Sequence, residues 1–282
     1  IRQWGLPGFC VEHTQLVSSA EHILSFATKI ENIRQDLPFE IDGIVIKVND
    51  RKEYERLGVT GNSPRWAVAY KFCPEQVETK VRDITIQVRR TGVLTPVAEL
   101  EPVLLAGSTI ARATLHNQEE IERKDVRIGD FVWVEKGGDV IPKVVGVNLS
   151  KRTEDLQKWR MPLHCPSCGK KVVHLFKEVA VRCPEPTFCK EAQIRALLYF
   201  CSKPAMNIDH LGIKVIEQLF EKGLISSTPD IYRLTKEDLA KLEGFKEKSI
   251  HNLLTSIEKS KQVNLARFIL ALGIRYVGEE SA

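Results

Sequence analysis

Apolar positions in residues 18–37, SSAEHILSFATKIENIRQDL, recur at Ile23, Phe26, Ile30 and Ile33. That is a helical period, and Ser18 or Ser19 with Glu21 close behind supplies an N-cap. The pattern then shortens. Residues 39–49 and 66–72 read as strands, and 81–147 are dense in β-branched residues punctuated by Gly and Pro. Several short strands at close spacing predict a small barrel or sandwich. Residues 162–189 form a short Cys- and Pro-rich stretch, and from 190 onward the pattern is helical and polar with repeated Leu-x-Gly signals. Four changes of character within 282 residues predict two to four domains.

The first strand, in LPFEIDGIVIKVND at 37–50, is apolar yet carries Lys47 near its end. Period-two alternation sends Ile44, Ile46 and Val48 to one face and Val45 and Lys47 to the other. Asp42 has the wrong parity to join Lys47 unless Gly43 re-aims the chain, as a bulge would. In WAVAYKF, Trp66, Val68, Tyr70 and Phe72 share one face, and Ala67, Ala69 and Lys71 the other. Two strands that each present a lysine beside small or apolar residues suit a nucleotide cleft, with a flat apolar floor for a base and ammonium groups for phosphate. They equally suit two lysines snorkelling from strand ends.

Composition narrows the class. The chain is 43% hydrophobic and 28% charged, with 41 basic against 37 acidic residues and a net charge of +4. This is the make-up of a globular protein, and the small positive charge does not by itself imply nucleic acid. No run of eighteen apolar residues predicts a transmembrane helix, and IRQWGLPGFC lacks the features of a signal peptide. Seven cysteines without an export signal point to a reducing, cytoplasmic setting, where clustered cysteines are metal ligands more often than disulfides.

Four of those cysteines have ligand spacing. Cys165 and Cys168 form C-P-S-C, and Cys183 and Cys189 follow after fourteen residues. Tetrahedral Zn²⁺ takes four thiolates at about 2.3 Å, and a site filled entirely by protein is structural. Cys10, Cys73 and Cys201 have no partner by spacing. In the helical part, MNIDHLGIKVIEQLFEKGLI and LAKLEGFKEKSIHNLLTSI share one plan: a helix ends near glycine, a tight turn follows, and a new helix opens with a basic residue. Gly212 with Lys214 and Gly244 with Lys246 are the pieces, and FILALGIRYVGEESA begins a third copy at Gly273. Such a helix-hairpin-helix array offers backbone N–H groups to DNA phosphates without reading sequence. An OB-type barrel over 75–150 is a second nucleic-acid platform, with Arg89, Arg90 and Lys136 as candidate phosphate contacts.

The ordered set EIDGIVIK, RWAVAYKF, RTGVLTPVAELEPV, ATLHN, GDVIPKV, the four cysteines and KPAMNIDHLG resembles bacterial NAD⁺-dependent DNA ligase over essentially the whole chain. The resemblance implies a multidomain α+β protein. Its expected domains are the C-terminal part of a nucleotidyltransferase (adenylation) domain at 1–74, an OB fold at 75–161, a small four-cysteine zinc finger at 162–190 and an incomplete helix-hairpin-helix domain at 191–282. It also implies nick sealing in replication and repair: a lysine takes AMP from NAD⁺, AMP passes to the 5′-phosphate, and the 3′-hydroxyl displaces it, with Mg²⁺ assisting. On this resemblance Lys47 and Lys71 contact the nucleotide phosphate, Val45 lies against the adenine, and Asp42 is a carboxylate near Mg²⁺. The implied partner is nicked double-stranded DNA, without a membrane, for a monomer associated with the bacterial nucleoid.

The chain also departs from the family pattern. No K-x-D-G, the family's nucleophile motif, occurs in it, and it does not open on methionine. By itself it is therefore expected to be the DNA-binding portion, inactive in self-adenylylation. The family's QVGRTG is QVRRTG here, so Arg89 stands where a turn could require positive φ. A non-catalytic zinc and helix-hairpin-helix repair module is the alternative. An ATP-dependent ligase or capping enzyme shares the strand lysines and the OB fold, but is not expected to carry this zinc finger followed by hairpins.

Overall fold

The computed structural model describes residues 13–61, 63–137, 141–153, 155–175 and 178–282; Cys10 lies outside them. Helix α1 (Ala20–Asn32) starts where the pattern places it: Ser19 caps it, accepting from the His22 amide at 3.3 Å. Its apolar side joins Phe72, Ile41 and Ile44 in a small core around Ala27 and Ile30. The strand read over 39–49 is shorter, β1 (Gly43–Lys47), because a bend at Asp42 precedes it and Ile41 turns into that core. After α2 (Glu53–Leu57) and the small hairpin β2 (Val59–Thr60) and β3 (Ser63–Pro64), strand β4 (Ala67–Lys71) returns antiparallel to β1.

The next five strands close a barrel in the order β5-β6-β7-β9-β8, resolving the barrel-or-sandwich alternative. They are β5 (Gln76–Val88), β6 (Leu94–Leu105), β7 (Ser108–Thr114), β8 (Phe131–Gly137) and β9 (Ile141–Val147). Helix α3 (Gln118–Lys124) sits between the third and fourth of these and inserts Ile121 into the barrel core with Val81, Ala98, Leu100, Val132 and Val134. Its N-cap is Asn117, whose side chain accepts from the Glu120 amide at 2.9 Å. The barrel's exit is pinned by Arg152, which donates two hydrogen bonds to the fully buried Asp130, at 2.8 and 2.7 Å.

A two-stranded ribbon follows, β10 (Val173–His174) paired with β11 (Val181–Arg182). It does not build its own core. Its three buried cysteines pack with Val88 and Leu94 from the barrel and Ala192 from the following helix. The β5–β6 turn docks on it: the Cys183 amide donates to Gly92 O at 2.8 Å, and Val93 bridges Arg182. The positive φ of this turn falls on Gly92, at 80°, so Arg89 is free of the strain that the substituted motif raised. At Gly92 a Cβ would stand 2.9 Å from Cys183 O, a second reason for glycine there.

The rest is helical: α4 (Lys190–Cys201), α5 (Ile213–Glu221), α6 (Thr228–Ile231), α7 (Lys236–Leu239), α8 (Glu247–Ser260) and α9 (Leu265–Ala271). One core joins them through Ile194, Leu197, Ile216, Leu219, Leu239 and Leu253. The short helices owe their ends to caps: Ser227 with Asp230 and Thr235 with Asp238 form reciprocal capping boxes. Among the described residues no helix is long and apolar enough to cross a membrane.

Candidate functional site

The β1–β4 register decides what the two strand lysines can do. Gly43 lies opposite Lys71, Val45 opposite Ala69, and Lys47 opposite Ala67. Directly opposed residues of an antiparallel pair share a face, so Lys47, Val45, Lys71, Ala67 and Ala69 all lie on one side. Val45 is 62% exposed between the two lysines, over the alanine floor. The lysines lie four residues apart along the ladder, so their Cα positions stand roughly 13 Å apart, with Val45 between their rows. A cavity of about 1250 Å³ along β1 is lined by Ile23, Phe26 and Ile30 of α1 and by Val45, Lys47, Tyr54 and Trp66; Lys71 is not among its lining residues. Tyr54 and Trp66 stack with ring centroids 3.9 Å apart and planes 4° from parallel, a stiff end wall that the sequence pattern did not single out.

Gly43 acts by close approach. The ladder runs through it without a register shift, so there is no bulge there. A Cβ at this position would stand 2.8 Å from Lys71 Cα and closer still to Tyr70 O. Gly43→Ala is therefore predicted to push β4 away from β1, separate the two lysines and lower the melting temperature by several degrees, a cost of about 1–3 kcal/mol for overpacking; an unshifted melt contradicts that packing. The bend at Asp42, and not Gly43, brings its carboxylate round to Lys71, with which it forms an ion pair. The hydrogen bond from Lys71 holds the Asp42 carboxyl below its usual range. Both side chains are about half exposed, 56% and 46%, so the pair is worth little to stability and can open for other partners.

The four cysteines converge. Their sulfurs all lie within 4.8 Å of one another, with Cys165 Sγ to Cys189 Sγ at 3.9 Å and Cys168 Sγ to Cys183 Sγ at 3.5 Å. A tetrahedron of sulfurs about 2.3 Å from zinc has edges of roughly 3.8 Å, so the set fits Zn²⁺. The C-P-S-C knuckle is shaped by its own backbone: Gly169 N–H donates to Cys165 O at 2.9 Å and Cys165 N–H to Lys170 O at 2.8 Å. Burial pushes the Cys183 thiol up to about 12 and raises Cys165 as well, while the backbone N–H of Lys170 holds Cys168 down. Such a mixed set becomes four thiolates when a cation binds among them. Cys201 is a buried thiol raised to about 12 by burial alone, and Cys73 is exposed.

Two expected phosphate contacts are engaged elsewhere. Lys136 is 9% exposed and donates to Ala106 O at 2.8 Å, so its ammonium is spent on the β6–β7 turn. Arg90 donates to Gly273 O at 2.6 Å and lies 4.1 Å over the Tyr199 ring, which makes it a clasp between the β5–β6 turn and the helical unit. The helical candidates divide. Lys214 is exposed in the first turn of α5 and Lys246 is the exposed N-cap of α8. Gly244 and Gly273 have φ of 78° and 63°. Gly212 does not: it is an extended N-cap with open space around it, and the left-handed positions of that turn are Asn207 and His210. The backbone at 212 therefore makes no conformational demand for glycine. Glu178, which the sequence reading missed, gathers Arg182 and Arg275; it lies in the connection before β11, where no local pattern marks such a pairing.

Comparison with known proteins agrees on one family. Residues 1–75 match the NAD-dependent DNA ligase adenylation domain, 78–156 the NAD-dependent DNA ligase OB-fold domain, and 164–190 the NAD-dependent DNA ligase C4 zinc finger domain. A DNA ligase of Protochlamydia amoebophila is 57% identical over 277 residues, 98% of this chain and 41% of the relative. DNA ligases of Chlamydia caviae and Chlamydia trachomatis are 53% and 50% identical over 98% and 99% of the chain. The chain thus spans about two fifths of the length of these relatives.

Proposed function

Because this chain belongs to the NAD-dependent DNA ligase family, we propose that it serves the sealing of single-strand nicks in duplex DNA, 3′-hydroxyl to 5′-phosphate, with NAD⁺ as the nucleotide donor. The observation that carries this reading beyond family likeness is the β1–β4 register, with Lys47 and Lys71 on one face around Val45. Two ammonium groups flanking an apolar floor suit a nucleotide whose base rests on Val45 and whose phosphate meets a lysine. Their part is electrostatic: they stabilise negative charge as it develops on the phosphate oxygens. Asp42, released from Lys71, is the carboxylate we assign to Mg²⁺, which would neutralise phosphate charge there. The four cysteines, Cys165, Cys168, Cys183 and Cys189, hold a structural Zn²⁺.

The organisation we propose is adenylation domain at 1–74, OB fold at 75–161, zinc finger at 162–190 and helix-hairpin-helix unit at 191–282. In that last unit Lys214 and Lys246, with the turns at Gly244 and Gly273, face the phosphates of nicked DNA. We assign the working form as a monomer, acting on DNA in the bacterial cytoplasm. Gly244→Val then strains a left-handed turn by about 1–2 kcal/mol and is predicted to weaken nicked-duplex binding several-fold; equal affinity removes this turn from the interface.

The test of the function is nick sealing by a protein carrying this chain, with NAD⁺ or ATP as the sole nucleotide. Sealing with NAD⁺ alone is expected, and sealing driven by ATP overturns the assignment.

A further inference from the structure

The segment after α9, residues 273–278, is held from both sides. On one side Arg90 takes Gly273 O and stacks on Tyr199. On the other stands Glu178, which belongs to the zinc ribbon. Its Oε1 accepts from Arg275 Nη2 at 2.6 Å and from the Tyr276 hydroxyl at 3.4 Å, and its Oε2 accepts from Arg182 Nε at 2.6 Å. Arg182 in turn donates to Thr91 O at 3.2 Å, and its backbone bridges Val93. One carboxylate therefore joins the ribbon, the β5–β6 turn of the barrel and the segment after α9.

Two further features give this junction a purpose. Tyr276 is 88% exposed yet has φ of 67°, a conformation that a bulky residue keeps only when its surroundings impose it. Arg275 and the Tyr276 hydroxyl, the two groups on either side of that strained peptide, both end on Glu178. In addition, an acid beside a polyanion's binding surface is unfavourable unless its charge is spent. Here Glu178 is 23% exposed and paired with two guanidinium groups.

We infer that Glu178 is a positioning residue. It holds the 273–278 turn in the orientation that presents backbone N–H groups to a DNA phosphate, and the zinc ribbon contributes to nick binding through it. The inference rests on the helix-hairpin-helix reading of the helical unit and adds to it what fixes the third turn in place.

The test compares Glu178→Ala and Glu178→Gln with the unaltered, zinc-loaded chain. Three quantities are measured: zinc content, amide hydrogen exchange across 273–278, and affinity for a nicked duplex over a range of salt. The expected result is full zinc content, about tenfold faster exchange in the turn, and affinity lower by about tenfold, the loss of one charge-assisted network. The slope of log affinity against log salt stays unchanged, because no phosphate contact has been removed. Glu178→Gln, which keeps the shape and one acceptor, recovers part of both losses. Tighter binding would show Glu178 to be a merely repulsive acid and overturn the inference, as would unchanged exchange and affinity, or zinc loss in Glu178→Gln. If the unaltered chain does not bind nicked DNA, the helix-hairpin-helix reading falls and takes the inference with it. If the chain binds DNA but the turn's exchange is indifferent to Glu178, this inference fails alone.

Discussion

Cys168→Ser releases the zinc and melts the ribbon together with what leans on it. The size of this effect follows from where the ribbon's stability resides. Its core consists of three buried cysteines and a few apolar side chains borrowed from β5, β6 and α4. So small a core cannot offset the entropy of ordering about thirty residues. The metal supplies the difference, with apparent binding free energies of about 10–16 kcal/mol in isolated zinc fingers. Losing one thiolate of four thus removes the ribbon as a folded unit. Because the β5–β6 turn hydrogen-bonds to Cys183 and Gly92 packs on it, the loss extends to the joint between barrel and helices. Metal analysis and thermal melting check this; unchanged zinc content and an unchanged melt contradict it. The pH dependence has a definite sign. Zinc requires thiolates, and burial raises the metal-free Cys165 and Cys183 thiols. Protons therefore compete with the metal, and zinc is retained at high pH and lost as pH falls.

Lys71→Ala in a sealing-competent protein lowers NAD⁺-dependent nick sealing by about 10²–10³-fold, the usual cost of removing one preorganised group aimed at developing charge. Stability hardly changes, since the Lys71 side chain is 56% exposed and its ion pair with Asp42 lies at the surface. Two consequences separate this from a folding defect. Zinc content and the melting curve stay as in the unaltered protein. The loss also appears in the single-turnover rate at saturating NAD⁺, because the lysine is assigned to charge that develops during reaction. A variant that seals at the original rate contradicts the assignment of this face to the nucleotide.

Features that depend on a few adjacent residues were legible in the sequence. The Ser19 cap and apolar stripe of α1, the face shared by Val45 and Lys47, and the four-cysteine set all follow from local spacing, and each recurs in the structure. What could not be read depends on partners far along the chain. Arg90 looked like an exposed turn arginine because its acceptor, Gly273, lies 183 residues away. Lys136 looked like a surface cation because nothing near it in sequence marks Ala106 O, thirty residues earlier, as its acceptor. Gly43 was expected to bend its own strand, whereas its need for glycine comes from Tyr70 and Lys71 across the ladder. Gly212 shows the converse: a motif glycine whose turn places its left-handed residues at Asn207 and His210.

A titration of the zinc-loaded chain against nicked and intact duplexes of the same sequence, from low to high salt, reads its grip on DNA. Binding is expected to favour the nicked duplex, with a linear fall of log affinity with log salt at a slope of about −0.9 per phosphate contacted. Failure to bind, or binding indifferent to salt, would contradict the assignment of this chain to the grip on nicked DNA.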